Sequence, residues 1–257
     1  MTVAVEISKR LILVNSISAA TVHILRLTVL MWMYQYLLKR IHHEEFAVYV
    51  LVTTVIAFAP LFSSFFTSGI SRYVVEAWAL GDERRARQII SAIVPFMAGW
   101  GVLFVAAGWS LALNISSVLT ISPEHLSEAQ LMMGLLISDF TFQMIMTPFA
   151  VGFHVRQRFH LLNLIQIGVE FFRIGLLFTL LFAVSTRVIW VVVATTSSNV
   201  LLVVVTTLVS RRLAPALRFS PALFQWQAAR QLISFGLWTT IGQLAYMIYM
   251  NIDILLL

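Results

Sequence analysis

Residues 188–209 read VIWVVVATTSSNVLLVVVTTLV and run directly into Ser210, Arg211 and Arg212. In a soluble protein so many Val and Thr residues would argue for a buried strand, because β-branched side chains fit a pleated surface. Length decides otherwise. An uncharged stretch of 22 residues is several times a common strand, which runs about 5–6 residues. A helix rising about 1.5 Å per residue needs about 20 residues to cross a bilayer core about 30 Å thick. β-branched residues are tolerated in such a helix, because lipid offers no competing partner for the backbone groups that the helix satisfies internally. The stretch therefore predicts a membrane-spanning helix that stops where the arginines begin.

Six further runs of this kind surround it. The expected spans are Leu11–Leu38, Phe46–Gly69, Gln88–Leu113, Ala129–Phe153, Leu161–Val184, Val188–Val209 and Leu232–Leu257. Composition agrees, since the 257 residues are 60% hydrophobic and 11% charged, less than half the charge of an average soluble domain. The fold class is an all-α integral membrane protein, a polytopic bundle of seven transmembrane helices. The first run is longer than the apolar core of a signal peptide and lacks a clear cleavage site, so it is expected to remain as a helix. With no Cys in the chain, disulfides, thiolate metal sites and a cysteine nucleophile are excluded.

Lys and Arg in the connecting segments set the orientation, because positive residues accumulate on the cytoplasmic side. With the N-terminus inside, the cytoplasmic segments hold Lys9, Arg10, Arg72, Arg84, Arg85, Arg87, Arg156, Arg158, Arg211, Arg212, Arg218 and Arg230, against Lys39, Arg40 and Arg187 outside. The excess points to an N-terminus in the cytoplasm. The net charge of +6 is then a topological signal, and no nucleic-acid partner is implied. Between the sixth and seventh spans, Pro215, Pro221, Phe224, Trp226 and Arg230 mark a stretch that either lies in the headgroup plane or serves as a solvated linker. Ile254–Leu257 ends the chain inside an apolar run, as a truncated second half would. Arg230-Gln231-Leu232-Ile233 echoes Lys9-Arg10-Leu11-Ile12, as parallel repeats in a transporter do.

Five charged residues fall inside the expected spans: Arg26, Asp139, Glu170, Arg173 and Asp253. At about 2.5–3.5 kcal/mol for each Arg or Asp at a helix centre, lipid exposure of them all would cost on the order of 10 kcal/mol or more. A packed interior or a watered cavity is the expected surrounding. In the fifth span Asn163, Gln166, Glu170 and Arg173 recur at spacings of three, four and three, which puts them on one helix face. Two readings stand. The stripe is a cavity wall, with a proton or ion site at Glu170 and a phosphate contact at Arg173. Alternatively, Glu170 and Arg173 neutralise each other and hold helices together. Arg26 lies mid-span, too deep for its stem to reach a headgroup, and is expected to face a cavity. In the fourth span Asp139 begins a face with Gln143 and Met146, and Pro148 can kink the helix. Asp253 closes a polar face of the seventh span. Glu170, Asp139 and Asp253 are the candidates for an ion-coupling role.

No Gly-rich phosphate loop, zinc-binding His-Glu-x-x-His helix or nucleophile elbow is present, so no catalytic residue, cofactor or metal site is assigned. His42-His43-Glu44-Glu45 has ligand-type side chains. Adjacent His residues point apart on a helix, and a wetted loop is expected there.

Several segments together resemble the polysaccharide (O-antigen type) flippases of the multidrug, oligosaccharidyl-lipid and polysaccharide exporter superfamily. They are Glu44-Glu45-Phe46-Ala47-Val48-Tyr49, Gly69-Ile70-Ser71-Arg72-Tyr73-Val74, Gln157-Arg158-Phe159 with Asn163, and Phe235-Gly236-Leu237-Trp238 through Asp253. Ala47 departs from the Gly that the family commonly has there. The resemblance implies two six-helix lobes around a cationic cavity for an undecaprenyl-pyrophosphate-linked glycan. Residues 1–212 would form the first lobe, 213–231 a cytoplasmic or interfacial linker, and 232–257 the seventh helix, opening a truncated second lobe. It further implies phosphate contacts at Arg26 and Arg173; Asn163 and Gln166, from the polar stripe of the fifth span, are further candidates for substrate contact, with membrane lipids as surroundings, H+ or Na+ as a candidate coupling ion, and the cytoplasmic (inner) membrane as location. Two other functions fit the composition: a multidrug or cation antiporter of the same superfamily, and a helix-bundle assembly subunit of a glycan-synthesis enzyme.

Overall fold

The computed structural model describes residues 9–41, 43–57, 59–117 and 121–250. Among these residues every regular element is helical. The helices are α1 (Lys9–Arg40), α2 (His43–Ile56), α3 (Ala59–Thr67), α4 (Ile70–Ala79), α5 (Glu83–Leu113), α6 (Pro123–Met146), α7 (Gly152–Val155), α8 (Phe159–Ala183), α9 (Ile189–Leu213) and α10 (Trp226–Met250). Short 3-10 turns cover Ile115–Ser117, Thr147–Ala150 and Pro221–Leu223.

Among the described residues, five stretches are long and apolar enough to cross a membrane: Leu11–Met33, Glu83–Leu113, Pro123–Val155, Phe159–Ala183 and Ile189–Leu213. The Val-rich run is α9, a helix. The stretch expected as one helix over Phe46–Gly69 is divided between α2 and α3. Pro60 explains the division, since it has no N–H for the carbonyl of Ile56 and its ring opposes a continuous helix. Pro148 acts likewise after α6, where the chain tightens into a 3-10 turn before α7. Pro95, in contrast, is accommodated inside an unbroken α5. That helix also starts earlier than its apolar run, because the Asp82 side chain accepts a 2.8 Å hydrogen bond from Arg85 N and caps the first turn. In α10 the polar residues Arg230, Gln231, Ser234, Thr239, Thr240 and Gln243 dilute the apolar character. The end of the expected last span, with Asp253, lies outside the described residues.

Side-chain contacts fix the directions of the helices. α1 and α8 run parallel, with Asn15 bonded to His160 N, Ser18 to Asn163, and the Trp32 and Tyr36 rings in tilted and edge-on contact with Phe178 and Phe182. α6 and α9 are also parallel, linked by Asp139 to Asn199. α5 and α6 are antiparallel, joined by Trp109 Nε1 donating to Ser138 Oγ at 3.1 Å and by Gln130 donating to Leu113 O at 2.9 Å. α10 runs antiparallel to α3, with Leu232 beside Gly69 and Gly236 on the backbone of Phe65. A chain threading back and forth through one slab produces this set of directions.

Packing relies on small residues at close crossings, as it does where lipid removes the hydrophobic drive between helices. A Cβ added at Gly134 would lie 2.6 Å from the Trp109 ring, and one at Gly108 would lie 2.6 Å from Ile137. Overpacking of this kind costs about 1–3 kcal/mol. Two buried clusters fill the interior. Val52, Met132, Met133, Val191 and Val192 belong to one, and Ile70, Val74, Ile90, Ile93, Met97 and Leu232 to the other.

The two ends of the bundle differ in charge. At one, Arg87 Nε donates to Ala216 O at 2.9 Å and Arg156 Nε to Leu213 O at 3.0 Å, while the Arg156 guanidinium lies 5.2 Å from the Trp78 ring centroid. Ser220 N donates to Ser91 Oγ at 3.0 Å. The connections α4–α5, α7–α8 and α9–α10 are thereby drawn to a single basic end. The α9–α10 connection is docked there: Phe224 and Trp226 both pack on Phe96 of α5. At the other end, the starts of α2, α6 and α9 bring together Glu44, Glu45, His125, Glu128 and Arg187.

Candidate functional site

Among the described residues, the candidate amide and charged side chains of the spans lie in two groups. The first lies along the α1–α8 seam. Asn15 Oδ1 accepts from His160 N at 2.9 Å and its Nδ2 donates to Gln157 O at 3.3 Å. The N-terminus of α8, whose first N–H groups have no partner inside the helix, is thus capped from another helix. One turn on, Asn163 is buried and its Nδ2 donates to Ser18 Oγ at 2.8 Å. Asn163 therefore joins α8 to α1, while Gln166 is half-buried.

Further along the same stripe, Glu170 is 8% exposed and forms an ion pair with Arg173, one turn away on α8. The charge of each is balanced by the other. Beyond the pair, Arg173 borders a narrow apolar crevice lined by Val29, Trp32, Met33 and Tyr36 of α1 and by Ile174, Leu177, Phe178 and Leu181 of α8.

Arg26 is exposed on α1 and makes no hydrogen bond or ion pair among the described residues. Its depth follows from the register of the seam. Partners across α1 and α8 differ in number by 145 at both Asn15–His160 and Ser18–Asn163, and Trp32 and Tyr36 keep nearly the same offset to Phe178 and Phe182. Arg26 consequently stands at the height of Phe171, between Glu170 and Arg173. Around it the outer surface of α1 is mostly apolar, with Ile24, Leu27, Met31 and Trp32 exposed, although His23 and Thr28 are exposed beside it as well.

The second group is a buried knot between α6 and α9. Asp139 accepts from Gln143 Nε2 at 3.0 Å through Oδ2, and from Asn199 Nδ2 at 2.7 Å through the same oxygen. Its other oxygen, Oδ1, is buried with no hydrogen-bond partner. A carboxylate held by two neutral amides, with no cation paired to it among the described residues, can hold a proton or receive a small cation. Asp253 lies outside the described residues.

Sequence reasoning named Asp139 but missed Asn199, whose signal is its being the single carboxamide in the 188–209 run. It also missed the first turn of α2. His43, Glu44 and Glu45 were expected in a wetted loop, yet they open this helix, because carboxylates suit the positive end of its dipole.

In comparison with known families, curated proteins and solved structures, no family model, relative or structure matches this chain.

Proposed function

We propose that this protein moves lipid-linked polysaccharide or oligosaccharide precursors across the cytoplasmic membrane by alternating access, as the first six-helix lobe and seventh helix of a two-lobe transporter. The observation that carries the reading is Arg26, a cation with no ion-pair partner among the described residues, midway along α1 at the depth of the Glu170–Arg173 pair. A guanidinium at that depth costs about 2.5–3.5 kcal/mol or more unless it meets water or an anion. A pyrophosphate linked to a polyprenol supplies such an anion, and a planar guanidinium binds it with two parallel hydrogen bonds. The exposed face of α1 is then a cavity wall rather than a lipid surface. Arg173, paired with Glu170, offers a second guanidinium from α8, Gln166 a hydrogen-bonding amide, and Asn163 holds the two helices in register. No step forms or breaks a covalent bond.

A second reading, an ion-coupled antiporter of small molecules, draws on the Asp139 knot. Within the first reading the same knot serves as the coupling site for H+ or Na+. The two differ in what stabilises the protein. A polyprenyl pyrophosphate is expected to raise the unfolding temperature of the detergent-solubilised protein, with polyprenyl monophosphate weaker and neutral polyprenol without effect. Equal shifts from all three lipids would remove the phosphate site.

The basic end faces the cytoplasm in this reading, together with the N-terminus. Because the chain has no Cys, single substitutions report sidedness without background. Arg85→Cys is expected to react with an impermeant thiol reagent only from the cytoplasmic side, and Glu124→Cys only from the opposite side. Labelling of both from one side would overturn the orientation.

A further inference from the structure

The end of the bundle away from the basic connections holds a cluster with no role in the transport reading. Glu45 stands in the first turn of α2, and His125 and Glu128 stand one turn apart at the start of α6. One donor atom from each lies within 4.8 Å of the other two. These are not solvated surface groups: Glu45 and His125 are half-buried, and Glu128 is 6% exposed. Glu128 Oε1 is buried and accepts no hydrogen bond. Its close polar neighbour is Arg187 Nε at 2.9 Å, on a side chain that is 55% exposed and free to swing outward. Glu44 adds a further carboxylate, 3.7 Å from His125 Nε2.

Charge and geometry agree on a cation. Glu44, Glu45 and Glu128 bring three carboxylates to the cluster, and among the described residues the one guanidinium there is Arg187, paired with Glu128, so the carboxylates outnumber the cation. The helix N-termini here disfavour a cation through their dipoles, which the carboxylates outweigh. A tetrahedral ion with bonds of about 2.0–2.1 Å holds its donors roughly 3.3 Å apart. The three donors, now within 4.8 Å of one another, would have to close to that spacing on binding. Carboxylates alone would suit Ca2+ or Mg2+, but an imidazole among them selects a transition metal.

We propose that Glu45, His125 and Glu128 bind a divalent ion of the zinc class, which displaces Arg187 as the countercharge of Glu128 and leaves a fourth position for water or Glu44. The bound ion cross-links α2 to α6 at the end opposite the basic connections, tying down the entry to both helices. Arg187 is the resident countercharge when no metal is bound, so the metal and the arginine exchange for one carboxylate.

The test uses Co2+ as an absorbing probe on the purified full chain, where no thiolate competes because Cys is absent. One saturable Co2+ per chain, displaced by Zn2+, is expected. His125→Ala loses a ligand and should weaken binding by more than the roughly 10–100-fold typical of losing a second-shell partner. His43→Ala removes a neighbouring exposed imidazole outside the cluster and should bind as the parent does. Arg187→Ala removes the competitor and should bind more tightly. The assignment is overturned by the absence of saturable binding, by unchanged affinity in His125→Ala, or by equal loss in His43→Ala. Should His125→Ala fail to accumulate, Arg187→Ala decides: affinity no higher than the parent's overturns the exchange.

Discussion

Arg26→Ala is expected to lower glycan export by more than tenfold at matched protein abundance, while Arg26→Lys retains most of it. A hydrogen bond to a charged group contributes about 1.5–3 kcal/mol, and each 1.4 kcal/mol is about a factor of ten. Losing a bidentate contact to pyrophosphate therefore removes one to two orders of magnitude. Lys keeps a point charge that attracts phosphate but loses the planar fork, so a partial defect is expected. The substitution leaves the fold intact, since Arg26 is exposed and has no partner among the described residues whose loss would strand a charge. Abundance should hold while export falls. Export by Arg26→Ala equal to that of the parent would return Arg26 to a structural role and remove the strongest support for a phosphate site.

The second large effect concerns Glu170 and Arg173. Arg173→Gln strands a carboxylate that is 8% exposed, and breaking a buried pair from one side costs about 3–5 kcal/mol. Glu170→Gln strands the guanidinium less severely, because the Arg173 side chain is the more exposed of the two, at 18% against 10%. The double variant, with both charges gone, should recover most of the stability, so thermal unfolding of the four proteins should show strong coupling. Export separates the two readings of the stripe. With Arg173 in contact with substrate phosphate, the double variant accumulates and stays inactive. Recovery of export together with stability would mean that the pair only neutralises itself, and would leave Arg26 as the one candidate for phosphate.

Much of the fold was legible in the sequence where length outweighs local preference. The run 188–209 has strand-like composition, yet α9 covers it as a single helix, since only a helix satisfies so long an apolar backbone in lipid. Helix ends were less legible because they depend on capping. Asp82 extends α5 by more than a turn into charged residues that hydropathy assigns to a loop. Among the prolines in the expected spans, Pro148 is read as a possible kink. Pro60 coincides with a division and Pro95 with a continuous helix, and nothing in the residues beside them distinguishes the two beforehand.

The candidate site divides in the same way. Periodicity gave the stripe on α8 and placed Glu170 one turn from Arg173, where the ion pair forms. What each member meets is tertiary information. Asn163 turns to Ser18 of α1, and Asp139 finds Asn199 sixty residues away. Glu45 and His125 are eighty residues apart in sequence and meet only because α2 and α6 pack side by side. No local pattern announces such a meeting.

Translocation itself is measured most directly with the intact protein in sealed vesicles, whose inner leaflet carries a polyprenyl-pyrophosphate-linked oligosaccharide. An impermeant lectin outside reports arrival of the glycan. Time-dependent capture of the inner-leaflet pool is expected with the parent protein, with a rate at least tenfold lower in Arg26→Ala. Capture no faster than in protein-free vesicles, or equal in the parent and Arg26→Ala, would contradict movement of a lipid-linked glycan along a cationic cavity.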